Sequence, residues 1–97
     1  MPAYITLIQF TQKGMETIRE SPTRLENVRR AVEAAGGRYL AFYLTMGRYD
    51  AVFISEAPDD ETVARTLLMI GALGNVRTET LRAFTEDEFR QLVGALP

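Results

Sequence analysis

The sequence predicts an α+β domain, and three observations carry that prediction. Runs of β-branched and aromatic residues with a two-residue period alternate with stretches whose apolar residues recur at helical spacing. A glycine pair, single glycines and prolines fall between these runs, where elements must stop and turn. The length of 97 residues suits one domain with one modest core, because a globule of that size hides roughly 60 to 70 % of the surface its unfolded chain exposes.

Tyr4, Thr6, Ile8 and Phe10 alternate with Ile5, Leu7 and Gln9, which is strand behaviour with apolar groups on both sides. Thr11 to Glu20 reads as an irregular, partly helical lead-in, since Gly14 weakens helix propensity and Ser21-Pro22 closes the segment. The same pair starts a longer helix: serine accepts from a free amide, and proline in the first turn loses no hydrogen bond. Leu25, Val28, Val32 and Ala35 form its apolar stripe, and Gly36-Gly37 ends it by tolerating left-handed geometry. Arg38 to Thr45 is a strand with Leu40, Phe42 and Leu44 on one side and Tyr39, Ala41 and Tyr43 on the other. A short Met46-Gly47-Arg48 link joins it to a partner strand, Tyr49 to Glu56.

Pro58 ends that strand, and Asp59, Asp60 and Glu61 place negative charge at the amide end of the next helix. This helix carries Val63, Leu67, Leu68, Met69 and Ile70 and finishes near Gly71 to Gly74. Asn75 to Phe84 alternates less cleanly and reads as an edge strand, whose pattern leaves open which side faces the core. Thr85 to Glu88 fits a capping box ahead of a short last helix with Phe89, Leu92 and Val93. No repeat or linker divides the chain, so residues 1–97 read as a single domain.

Composition excludes more than it assigns. Without cysteine there is no disulfide, thiolate nucleophile or cysteine-held cluster, and without histidine the commonest general base and haem ligand are missing. No cofactor and no metal are expected. A net charge of −2 arises from 11 basic and 13 acidic residues spread along the chain, so no basic stripe is available for nucleic acid. No 18-residue apolar run predicts a membrane span, and MPAYITLIQF passes into a strand without a basic region or cleavage site. A cytoplasmic location is the expectation.

The order strand, helix, strand, strand, helix, strand, short helix matches the split βαβ pattern. The expected architecture is therefore ferredoxin-like, βαββαβ, with a four-stranded antiparallel sheet, two helices on one face and a short C-terminal helix. Its third strand lies between the first and second, and its fourth on the other side of the first. That topology gathers Thr11 to Gly14, the start of the long helix, Thr45 to Asp50 and Asn75 to Thr78 at one edge of the sheet. Arg24, Tyr43, Thr45, Gly47, Tyr49, Asp50, Arg77 and Thr78 are the candidate site residues, suited to a small polar or anionic ligand near a helix N-terminus. The same residues have plain structural uses: Asp50 as a cap for backbone amides or a partner for arginine, Gly47 in the turn, Arg77 as a solvated edge residue.

Helices on one face leave the apolar residues of the other uncovered. A second copy of the chain, sheet against sheet, is the simplest cover, giving a homodimer with a barrel-like interior or a larger assembly. An apolar ligand between the sheets is the sharper form of that idea.

At the hairpin the sequence resembles the GYD domain family, whose Gly, Tyr, Asp signature is present as Gly47, Tyr49 and Asp50 within TMGRYD. Gly14, SPTR at Ser21 to Arg24, APDD at Ala57 to Asp60 and LGNVRTET at Leu73 to Thr80 extend the resemblance over nearly the whole chain. It implies a ferredoxin-like fold and no established activity, and it lends no catalytic residue. The family is similar in shape to the effector-binding domains of leucine-responsive regulators, which bind amino acids, and to the dimeric α/β barrel enzymes. The helix-turn-helix of the first group and the histidine on which haem and metal members of the second rely are not among these 97 residues. Three readings follow: a self-associating domain that binds a small metabolite, a cofactor-free oxygenase-like enzyme assisted by Tyr43, Tyr49 or Asp50, and a purely structural interaction protein.

Overall fold

In the computed structural model, which describes residues 1–97, the chain runs β1 (Ala3–Phe10), α1 (Gln12–Glu16), a 3-10 turn (Ile18–Glu20), α2 (Ser21–Ala34), β2 (Arg38–Leu44), β3 (Ala51–Glu56), α3 (Asp60–Ala72), β4 (Val76–Ala83) and α4 (Glu86–Gly94). The strands form one antiparallel sheet in the order β2-β3-β1-β4. This is the ferredoxin-like α+β arrangement that the element order predicts.

β1 is central, and its alternation divides the molecule. Tyr4, Thr6 and Ile8 are buried on the helix side. Register places Thr6 opposite Phe53 and Thr80, and Ile8 opposite Ala51 and Thr78. Ile8, Ala51 and Phe53 form the heart of the core, packed against Val28 of α2 and against Tyr39, Phe42 and Val76. The Tyr39 ring stacks on Phe53 at 5.6 Å and 11°, with the Arg29 guanidinium 4.3 Å over it. The phase of β4, open in the sequence, follows from pairing: Val76, Thr78 and Thr80 are half-buried and alternate with exposed Arg77, Glu79 and Leu81.

Two local expectations change. The ladder slips between Tyr39 and Ala41, so the simple alternation of β2 breaks there. Tyr39 consequently joins Phe42 in the core, and Leu40 is 45 % exposed. At the start of α2, Ser21 lies inside the helix and makes no side-chain cap. The 3-10 turn runs straight into α2, so Glu20 and Ser21 donate their amides to Thr17 O and Ile18 O, and the first amides are not free.

The other ends follow the sequence. Gly36 takes φ +85° just past α2. Asp59 Oδ1 accepts the Thr62 amide at 2.8 Å and its hydroxyl at 2.7 Å, and these bonds hold the Asp59 carboxyl below its ordinary range. Thr85 and Glu88 complete the capping box, each side chain accepting the other's amide at 3.1 and 2.9 Å.

The radius of gyration is 14.7 Å, whereas a compact chain of this length gives about 12.5 Å. Exposed area is 6788 Å², against about 5,600 Å² for a compact monomer of this mass. α4, in which every residue but Glu88 is exposed, contributes to that excess.

Tyr4 is 3 % exposed and donates its hydroxyl to Asp60 Oδ1 at 2.5 Å, joining β1 to the start of α3. Burial, then this hydrogen bond and the Asp60 charge, push the phenol from 10.0 up to about 12. The folded state holds this proton more tightly than the unfolded state, so the stabilisation is complete below the unfolded value of 10.0 and is lost as pH climbs towards about 12. Thermal unfolding followed across that window is expected to show a falling Tm, and the fall should shrink in Tyr4→Phe.

Candidate functional site

Thr45 to Asp50 projects past the ends of β2 and β3 and is closed on itself. Gly47 takes φ +120°, where side chains are strained and glycine is not. The Thr45 hydroxyl donates to Tyr49 O at 2.6 Å, and the Thr45 amide donates to Asp50 O at 2.9 Å. Asp50 then stitches the loop to β1. Its amide donates to Ile8 O at 2.8 Å, and its Oδ2 accepts the Phe10 amide at 2.8 Å. β3 begins only at Ala51, so Phe10 has no strand partner on that side. The carboxylate supplies the missing acceptor.

The helix-free face is tied to the same loop. Gln9 Nε2 donates to Arg48 O at 2.9 Å, and Tyr49 OH donates to Glu79 Oε2 at 2.5 Å. Because β1 separates β3 from β4, the Tyr49 bond crosses the central strand to reach β4.

On the other side of this end, the lead-in to α1 meets the start of β4. The Thr11 amide donates to Asn75 O at 3.1 Å and its hydroxyl to Gly74 O at 2.6 Å. A Cβ on Gly14 would lie 2.0 Å from Asn75 O, so only glycine fits that contact. Arg24 reaches back from α2 and donates to Thr17 O and Thr17 Oγ1, both at 3.0 Å, and to Gly14 O at 3.3 Å. Its guanidinium clamps the irregular lead-in that the sequence left undefined.

The eight candidate residues therefore do not converge on one pocket. Thr45, Gly47 and Asp50 build the loop. Tyr43, 60 % exposed, lies on the helix-free face opposite Val52, and Arg77 lies there opposite Gln9. Thr78 faces the helix side opposite Ile8 and, with Arg24, lines one apolar groove there, while the Arg24 guanidinium is engaged with backbone oxygens. No group of three or more acidic residues is placed to hold a metal ion, and no helix is long and apolar enough to cross a membrane.

Sequence reasoning missed Gln9 and Glu79, which anchor the loop, and it missed a groove. Between α2 and α3 an apolar groove of about 730 Å³ opens over the core, with Leu25, Phe42, Leu44, Met69 and Leu73 among its walls. Leu44, Met69 and Leu73 are 74, 51 and 59 % exposed. The wide apolar surface of α3 was the available signal for it.

A ferredoxin-like sheet closed by a Gly-Tyr-Asp loop defines the class of this domain. A family model described as the GYD domain matches residues 4–93, and the chain belongs to that family. It is 40 % identical over 84 residues to a Thermus thermophilus protein named glutamine synthetase and cystathionine beta-lyase binding protein, covering 86 % of this chain and 88 % of the relative. The crystal structure of TTHA0845 from the same organism superposes with a TM-score of 0.56 at 25 % identity, over 88 % of this chain and 95 % of that one.

Asp50→Ala leaves the Phe10 amide without its acceptor, and urea unfolding is expected to show a loss of about 2 kcal/mol. Asp50→Asn retains an acceptor oxygen and should lose less.

Proposed function

We propose that this chain is a protein-binding module that self-associates through the helix-free face of its sheet and engages metabolic enzymes. The observation that carries this reading is the apolar band on that face. Register aligns Ala41, Ile54, Ile5 and Leu81 in one row across all four strands, and Tyr43, Val52 and Leu7 in the next. No helix covers the band. The helix-free face supplies part of the roughly 1,200 Å² by which the exposed area exceeds that of a compact monomer, and a standard interface takes about 800 Å² from each partner. A twofold axis makes such a surface its own complement.

The name of the Thermus relative supports the second half of the proposal. The partners proposed here are enzymes of the kinds in that name, glutamine synthetase and cystathionine beta-lyase. The metabolite-binding and enzymatic readings draw less support, because the polar groups at the hairpin end bond one another. The carboxylate of Asp50, the base that a cofactor-free reaction would use, is engaged by the Phe10 amide.

Light scattering and native mass spectrometry of the purified chain should give at least a dimer. Ile54→Glu, at the centre of the band, should lower the assembly mass with unchanged far-UV circular dichroism. Titration calorimetry against glutamine synthetase and cystathionine beta-lyase from the same organism should detect binding to one or both. A monomeric parent chain would sink the self-association half, and silence with both enzymes the partner half.

A further inference from the structure

The two edges of the sheet differ in what they offer a further strand. β4 carries Arg77, Glu79 and Arg82, charges of the kind that discourage edge pairing. β2, at the other edge, runs from Tyr39 to Met46 without a charge, a proline or a glycine. It packs on β3 and α2, and no strand pairs with its outer side. Leu40, Tyr43, Leu44 and Met46 are 45, 60, 74 and 98 % exposed. Open backbone donors and acceptors on a strand with no blocking charge select an extended strand as their occupant.

Backbone direction identifies the open groups. The Thr45 amide turns inward to Asp50 O at 2.9 Å. In an antiparallel ladder the N–H and C=O of one residue point the same way, and the direction alternates along the strand. Tyr43 and Ala41 therefore also turn inward to β3, whereas Phe42 and Leu44 present their amides and carbonyls outward. The slip at Leu40 ends the regular stretch on one side, and the hairpin ends it on the other. Ala41 to Thr45 is left, and its centre is Tyr43.

We propose that β2 of one copy pairs antiparallel with β2 of a second copy about a twofold axis at Tyr43. Cross-strand partners must share a face of the sheet, which an axis at a residue satisfies and an axis between residues does not. In this register Phe42 of each copy lies opposite Leu44 of the other, so the outward groups exchange hydrogen bonds on both sides of the axis. Tyr43 meets its own copy in a non-hydrogen-bonded pair, Cα atoms about 4.5 Å apart, where aromatic side chains pack together. Exposed Met46 falls beside exposed Leu40 of the second copy. A copy of β2 thus brings an apolar residue to each apolar residue that this edge exposes, the self-complementarity that a twofold contact requires. This edge contact is separate from the helix-free face and does not depend on it.

The absence of cysteine makes a direct test clean. Tyr43→Cys is introduced into the Ile54→Glu chain, in which the helix-free face is disrupted, and the protein is oxidised with copper phenanthroline. The Cα separation in the proposed pair lies within the span of about 4.4 to 6.8 Å that a disulfide bridges. The expected result is a disulfide-linked dimer as the main band of a non-reducing gel, with Leu81→Cys on β4 in the same background staying monomeric. Leu44→Pro, which removes an outward amide, and Leu44→Lys, which keeps that amide and adds a charge, should each abolish the product with unchanged far-UV circular dichroism. A monomeric Tyr43→Cys chain, a dimer that survives both Leu44 changes, or an equal yield from Leu81→Cys would overturn the proposal.

Discussion

The bond between the Asp50 carboxylate and the Phe10 amide holds the hairpin end of the sheet together, and much else there depends on it. β1 is two residues longer than its pairing with β3, and its last amide on that side would face a gap. Filling the gap with a charged acceptor fixes where the loop turns back. That placement sets Arg48 O within reach of Gln9 and Tyr49 within reach of Glu79. The three signature residues thus act as one device: glycine permits the turn, aspartate closes it onto β1, and tyrosine carries the tie across to β4.

The polar end is self-satisfied while the apolar surfaces are not. Ten of 97 residues are buried, and the exposed large hydrophobics concentrate on α4, on the groove walls and on the sheet. Such a chain gains less from folding alone than its composition allows, because those surfaces stay exposed in the single chain. Under the proposed self-association, folding and assembly are linked by mass action, and stability rises with concentration. A molecule whose contacts are mostly apolar and whose charged residues pair locally, as Arg90 with Glu86 at 2.6 Å, suits recognition of surfaces more than of small ions.

What was legible in the sequence was short-range. The alternation of Tyr4 to Phe10, the Gly36-Gly37 stop and the Thr85 capping box depend on neighbours in the chain, and the element order then leaves few sheet topologies to choose from. What was illegible depends on partners far along the chain. Arg24 looked like an anion ligand because nothing local showed that Gly14 and Thr17 would turn their oxygens toward it. The β2 slip reversed the side taken by Tyr39, since a bulge leaves no local mark in RYLAFYL. Ser21 lost its capping role to the 3-10 turn that runs straight into α2 ahead of it.

Two glycines at the same end of the molecule differ in what surrounds them, and so in what each loop tolerates. At Gly14 backbone meets backbone with room for a hydrogen only, so the lead-in to α1 admits no larger side chain. At Gly47 nothing lies within 4 Å of an added Cβ, and although its φ of +120° keeps that one position for glycine, Met46 beside it is 98 % exposed. For anyone wishing to graft a peptide or a spectroscopic label onto this scaffold, the hairpin tip is the open socket and the lead-in is the sealed joint.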